Sequence, residues 1–241
     1  MRTVILVQAR VGSTRLPAKV LAAIDGRPMI WHVMQRCRAA YRADEVVLCT
    51  GLSNGNEELA MLARRHGWAV FRGSEEALSL LADAAMARRA DLVVRVTADC
   101  PLTDPAVIDG ALAAFLARRS WEGLDLLYTT PGWPDGLDVE VMDADALILA
   151  KGEAREPGER EHVTTWLRRH AAAVAMAPPD HLVDAMATLK PEHRKWSVDT
   201  AVELDFVRRV VPLLPHAPEH YGWQATVGAI RKLEAGRAIA G

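Results

Sequence analysis

Apolar runs too short to be helices recur along the first half of this chain, and they constrain what it can fold into. Val4-Ile5-Leu6-Val7 is continuous, Glu45-Val-Val-Leu-Cys-Thr50 and Asp91-Leu-Val-Val-Arg-Val-Thr97 are nearly so, and Trp68-Ala-Val-Phe71 is a shorter example. Runs of this kind read as strands buried on both faces. Between them the period changes. Leu59, Leu62, Ala63 and His66 fall at helical spacing, with Gly67 as a stop. Ile108, Ala111, Leu112 and Phe115 repeat that spacing after Asp104-Pro105, an N-cap followed by proline at the first helical position. Strand and helix in alternation predict right-handed βαβ units, hence an α/β fold with a mainly parallel sheet flanked by helices.

The second half is less regular. Pro131–Gly136 is a turn-rich break, after which Leu137-Asp-Val-Glu-Val-Met142 alternates like a half-exposed strand. Ala177–Asp180 is another break. Lys195-Trp-Ser-Val198 predicts a short strand leading to Asp199, and Thr200 with Glu203 predicts a capping box for a helix carrying Leu204, Val207 and Val211. With no internal repeat or low-complexity linker, the expectation is one domain over residues 1–241, with an irregular elaboration at about 130–195.

Charge narrows the partners. Lys and Arg total 29 against 31 Asp and Glu, too balanced for the basic face that a nucleic-acid footprint needs. No stretch approaches the roughly 18 apolar residues of a membrane span. The N-terminus lacks the layout of a signal peptide, so a cytoplasmic protein is expected. Cys37, Cys49 and Cys100 lack metal-type spacing and read as small buried residues. His216 and His220 have a zinc-compatible spacing but no partner ligands nearby, and read as a polar loop between Pro215 and Pro218.

Against that neutral background, residues 8–20 stand out. Arg10, Arg15 and Lys19 surround a Gly12-Ser13-Thr14 turn directly after the first strand, and no acidic residue precedes Asp25. Clustered cations, a glycine and exposed amides at a strand end suit a polyphosphate, although a solvated surface loop would read the same way. The loop matches neither the P-loop nor the dinucleotide fingerprint, because Ala18 precedes Lys19, Val20 follows it, and Gly12 is alone. Asp99 follows the Leu92–Thr97 strand, where open sheets gather ligands, and Asp104 already fills the helix-capping role. Asp199 follows the Lys195–Val198 segment, and is open either to capping or to ligand binding. Two such carboxylates can converge on one Mg²⁺, with phosphates and water completing its octahedron.

Gln8-Ala-Arg-x-Gly-Ser-Thr-Arg-Leu-Pro-x-Lys-Val-Leu21 resembles the opening motif of the cytidylyltransferases that make CMP-activated sugar acids, including CMP-octulosonate and acylneuraminate synthetases. The likeness is strongest to the spore-coat polysaccharide branch. In family order follow Phe71-Arg-Gly-Ser-Glu-Glu76, Arg95-x-Thr-Ala-Asp-Cys-Pro-Leu102, Gly136-Leu-Asp-Val-Glu-Val141, Arg160-Glu-His-Val-Thr164 and Trp196-Ser-Val-Asp-Thr200. The resemblance implies a Rossmann-like nucleotidyltransferase fold of the GT-A type. It implies that Arg10, Ser13, Arg15 and Lys19 hold the CTP triphosphate, with Arg10 and Lys19 catalytic and Gly12 letting the backbone approach. Arg72 and Ser74 would reach the nucleotide, and Asp99 and Asp199 would hold Mg²⁺. Asp138, Glu140, Arg160, Glu161 and His162 would line the acceptor side. The activity so implied is CMP transfer from CTP to a sugar-acid hydroxyl with release of pyrophosphate, for surface polysaccharide biosynthesis, in a homodimer. Two alternatives stay open: a GT-A glycosyltransferase spending a sugar nucleotide, and a non-catalytic nucleotide-binding protein. Ala18 and Trp133-Pro-Asp135 depart from the family pattern; Ala18 replaces a usual glycine, which costs about 1 kcal/mol or more if its φ is positive.

Overall fold

The computed structural model describes residues 1–215, 217 and 221–239, so the pair His216 and His220 lies outside the described residues. In chain order the elements begin with β1 (Thr3–Gln8), the short hairpin β2 (Ala23–Ile24) and β3 (Arg27–Pro28), α1 (Met29–Arg38) and β4 (Glu45–Gly51). There follow α2 (Glu57–His66), β5 (Ala69–Gly73), α3 (Ala77–Arg88), β6 (Leu92–Thr97), α4 (Pro105–Glu122), β7 (Leu126–Tyr128) and β8 (Glu140–Asp143). The chain continues through α5 (Ala144–Glu153), α6 (Pro157–Glu161), α7 (Thr165–His170), β9 (Ala173–Ala175), α8 (Asp180–Ala187), α9 (Ala201–Val210) and α10 (Trp223–Ile239).

Seven strands form one sheet in the order β5-β4-β1-β6-β8-β7-β9. Only β8 opposes its neighbours, pairing antiparallel with β6 and β7, so the sheet is mixed but mainly parallel. Alternate residues of β1 enter opposite layers. Ile5 and Val7 pack with α1, α2, α4, α9 and α10, whereas Val4 and Leu6 pack with α3, α5 and α7. All four are fully buried, the physical reason for the unbroken apolar run. From β1 the chain builds outward to β4 and β5, then crosses to β6 on the other side. The carboxyl ends of β1 and β6 therefore flank a topological switch point, where an open sheet leaves a crevice.

The capping signals operate as expected. Gly67 ends α2 in the left-handed region, and Thr200 and Glu203 close a reciprocal box at the start of α9. Two strand expectations change. The 137–142 segment is not half-exposed: Glu140 and Met142, on the face expected to point outward, are buried as well as Leu137, Val139 and Val141, because β8 lies inside the sheet between β6 and β7. Residues 195–198 form no strand. The Trp196 and Ser197 amides both donate to the Asp135 carbonyl and the Val198 amide donates to that of Asp99, so the segment's donors serve two loops and no ladder. The cysteines are buried thiols, and burial pushes Cys37 up to about 12. No helix among the described residues is long and apolar enough to cross a membrane.

Asp104 joins the two ends of the fold. One carboxylate oxygen caps α4 by accepting from the Ala106 amide at 2.8 Å, and the other accepts from the Trp223 amide at the start of α10 at 2.6 Å. Asp104→Ala should therefore lose a helix cap and orphan a buried donor. Together these cost about 2–4 kcal/mol, measurable as a lower urea midpoint.

Candidate active site

A cavity of about 410 Å³ opens at the switch point. The β1–β2 connection supplies Arg10, Gly12, Ser13, Arg15 and Lys19 to its wall, and Asp99 enters from the end of β6. Glu161, His162 and Asp199 complete it from the second half. The loop is pinned from below: the Val11 amide donates to Asn56 Oδ1 at 3.0 Å, and the Ala18 amide donates to the Val11 carbonyl at 3.0 Å. A Cβ placed on Gly12 would meet open space, so the protein's own packing does not demand glycine there. Ala18 does adopt the strained conformation, with φ at 54°. The usual glycine would sit there without the Cβ clash.

The three loop cations have no acidic neighbour in sequence, but the fold brings one to each. Lys19 is nearly buried, and its ammonium donates to Asp99 Oδ2 at 2.8 Å, Asp199 Oδ1 at 2.9 Å and the Val198 carbonyl at 2.8 Å. Burial works against its charge, but the two carboxylates outweigh that and hold its pKa above the ordinary lysine value. Arg15 pairs with Asp199 at 2.8 Å and Arg10 with Glu161 at 2.9 Å. Lys195 reaches the second oxygen of Asp199 at 2.9 Å while also pairing with Glu203. Burial opposes ionisation of Asp199, yet the hydrogen bonds from Lys19 and Lys195 bring its carboxyl down to about 2. Asp99 is likewise held low, its burial offset mainly by Lys19. Asp199 is not the N-cap of α9, since Thr200 takes that place. Two carboxylates aimed at one cation, with oxygen donors only, form a donor set that suits Mg²⁺. Lys19 stands at their meeting point.

A second cavity of about 300 Å³ adjoins the first, and Arg95, Thr97 and His162 line both. Its floor is Glu140, which accepts from Arg95 at 2.6 Å, Thr164 at 2.6 Å and Arg168 at 2.9 Å. Burial disfavours its charge, but the Arg95 guanidinium and these bonds keep it below the ordinary glutamate value. Asp138 lines the same cavity, with its Oδ2 accepting from the Gly136 amide at 3.0 Å. Gly136 has a φ of 109°, and a Cβ there would lie 2.6 Å from the Ser197 nitrogen, so the turn depends on glycine. In the atypical Trp133–Asp135 stretch, the Trp133 indole donates to the Met176 carbonyl at 2.7 Å.

Three predicted residues are drawn elsewhere. Arg72 pairs with Glu57 and donates to the Leu52 carbonyl at the end of β5. Ser74 accepts from the Glu76 amide, closing a turn before α3. Arg160 pairs with Glu76 at 2.5 Å and donates to the Ala154 carbonyl, tying α6 to α3 instead of facing an acceptor. Conversely, Arg95, Thr129, Arg168 and Lys195 were not predicted. Only Arg95 left a signal, a charge inside an otherwise apolar buried strand.

The cytidylyltransferase family model matches residues 4–226. The chain belongs to that family, and its class is nucleotidyltransferase. It is 28% identical over 220 residues to the spore coat polysaccharide biosynthesis protein SpsF of Bacillus subtilis, covering 89% of this chain and 88% of that one. It is 28% identical over 244 residues to the 3-deoxy-manno-octulosonate cytidylyltransferase of Chlorobium phaeobacteroides, covering 87% and 97%. Among solved structures, a cytidylyltransferase from Leptospira borgpetersenii superposes with a TM-score of 0.84 at 22% identity, over 98% of this chain and 96% of that one. CMP:2-keto-3-deoxy-manno-octonic acid synthetase, solved with CTP, gives 0.65 at 17% identity, over 88% and 99%. The fold is the Rossmann-like fold of nucleotidyltransferases.

Ala18→Gly should relieve left-handed strain, partly offset by the greater freedom of glycine in the unfolded chain. The expected net gain is about 0.5–1 kcal/mol, a rise of roughly 1–4 °C in Tm. Because Asp199 titrates at about 2 when folded and near 4 when unfolded, its stabilisation is complete above about pH 4 and vanishes as the pH falls through 2. Asp199→Asn should flatten that limb in acid unfolding.

Proposed function

We propose that the protein transfers CMP from CTP to a hydroxyl of a sugar acid, with release of pyrophosphate. The observation that supports this most directly is the pairing of two joined cavities. One is lined by Arg10, Arg15 and Lys19 with two converging carboxylates; the other is polar and opens through a shared wall of Arg95, Thr97 and His162. A triphosphate in the first would present its α-phosphorus toward an acceptor in the second.

In this reading the β- and γ-phosphates displace Asp199 from Arg15 and Glu161 from Arg10, and both guanidinium groups turn to the incoming anion. Lys19 follows, leaving Asp99 and Asp199 to hold Mg²⁺, which supplies charge neutralisation on the phosphates when bound. The acceptor oxygen attacks in line, the bond to the α,β-bridging oxygen breaks, and the loop cations stabilise the charge gathering on pyrophosphate. Positioning and electrostatics suffice, so no covalent nucleophile is needed. His162 at the shared wall would orient the acceptor. The likeness to the spore coat polysaccharide biosynthesis protein SpsF supports a role in surface polysaccharide synthesis, and we include the expected cytoplasmic location and homodimer in the proposal.

Incubating the protein with Mg²⁺, CTP and a panel of sugar acids should release pyrophosphate; release of a nucleoside diphosphate from a sugar nucleotide instead would make it a glycosyltransferase. CTP with Mg²⁺ at 100 times its Kd should raise Tm by roughly 5–10 °C and lead a panel of nucleotides. Lys19→Met should lower turnover by about 100-fold or more.

A further inference from the structure

Nucleotidyl transfer leaves one proton unassigned: the acceptor hydroxyl must lose it as its oxygen bonds to phosphorus. Most carboxylates around the two cavities are already committed. Asp99 and Asp199 are bound to Lys19, Glu140 carries Arg95, Arg168 and Thr164, and Glu161 pairs with Arg10. Asp138 differs. Its Oδ2 accepts from the Gly136 amide, while its Oδ1 is buried and has no hydrogen-bond partner among the described residues. A buried acceptor atom without a donor is costly; Asp138 lines the smaller cavity, and a small turn of its side chain toward that cavity lets a donor arriving with the substrate satisfy this oxygen.

We infer that Asp138 is a catalytic residue whose Oδ1 accepts the proton of the acceptor hydroxyl as that oxygen attacks the α-phosphorus. The inference rests on the nucleotidyl-transfer reading above. The step balances: the oxygen–hydrogen electron pair becomes the new oxygen–phosphorus bond, and the proton passes to Asp138. The pair of the broken phosphoanhydride bond leaves on pyrophosphate.

The surroundings suit the task. Burial raises the Asp138 carboxyl to about 6, with Asp135, Glu140 and Asp99 adding repulsion and the Gly136 amide opposing. Arg95 and Arg168 also line the cavity, but both are engaged by Glu140. His162 lines the mouth. A carboxylate with its pKa just below neutrality is ionised at pH 7 and a far better base than an ordinary aspartate. The backbone constrains it on both sides, because Asp138 lies between the Gly136 turn and β8, one residue from the strand.

The test compares wild type with Asp138→Asn, which is isosteric and keeps an oxygen for the Gly136 amide. The assay follows pyrophosphate release from CTP and Mg²⁺ with 3-deoxy-manno-octulosonate or N-acetylneuraminate. Wild-type kcat should fall on the acid side of about pH 6, and Asp138→Asn should be about 10²–10⁴-fold slower without that limb. The thermal shift given by CTP should be unchanged in the variant. A variant within about threefold of wild type, or one retaining the acid limb, overturns the assignment. Independently of any acceptor, carbon-13 NMR of labelled aspartate, assigned by difference against Asp138→Asn, should show this carboxyl titrating near 6. A midpoint near the ordinary value of about 4 also overturns it. A wild type that neither releases pyrophosphate nor responds to CTP refutes nucleotidyl transfer itself, a result distinct from an active Asp138→Asn.

Discussion

The bonding of the Lys19 ammonium organises the site. It ties the β1–β2 connection to the end of β6 through Asp99, and to the segment before α9 through Asp199 and the Val198 carbonyl. Three stretches far apart in sequence thus meet at one nitrogen. A cation removed from most of its water needs this much compensation, since an ammonium left unpaired in the same place would cost several kcal/mol. The carboxylates gain equally, because without Lys19 two negative groups would face each other in a half-buried crevice. The cations of the loop and the carboxylates around them are thereby held in mutual neutralisation.

The smaller cavity is built on the same principle with a different outcome. Glu140 is buried inside the sheet, and Arg95 and Arg168 neutralise it from opposite sides. Its charge is spent on rigidity. Two residues earlier, Asp138 lacks such partners and keeps a high carboxyl pKa. Neighbouring acids of the same strand approach thus differ because one is given guanidinium groups and the other is not. The Gly136 turn lies two residues before Asp138 and packs against Trp196 and Ser197, so the wall of the smaller cavity and the segment leading to Asp199 are held against each other.

Much of this was legible beforehand. Short apolar runs and capping residues suffice to locate β1, β4, β6, α2 and α4, because burial on two faces and helix termination are local demands. The segment 195–198 forms no strand despite its pattern, since Trp196 and Val198 are buried in the main core while the segment's amides serve two loops that no local pattern reveals. Arg160 lines neither cavity for a related reason. Its motif position is fixed by sequence, but its guanidinium pairs with Glu76, 84 residues away along the chain.

Sequence alone determined the cationic loop, the two aspartates at their strand and loop ends, and the alternating order that puts a crevice beside β1. Tertiary structure decided their pairing. Long-range electrostatics depends on distance in space, and Asp99, Asp199 and Glu161 reach the loop only through the crossover of the sheet. A loop that reads in sequence as bare positive charge is, in the folded protein, a set of cations each already holding a carboxylate.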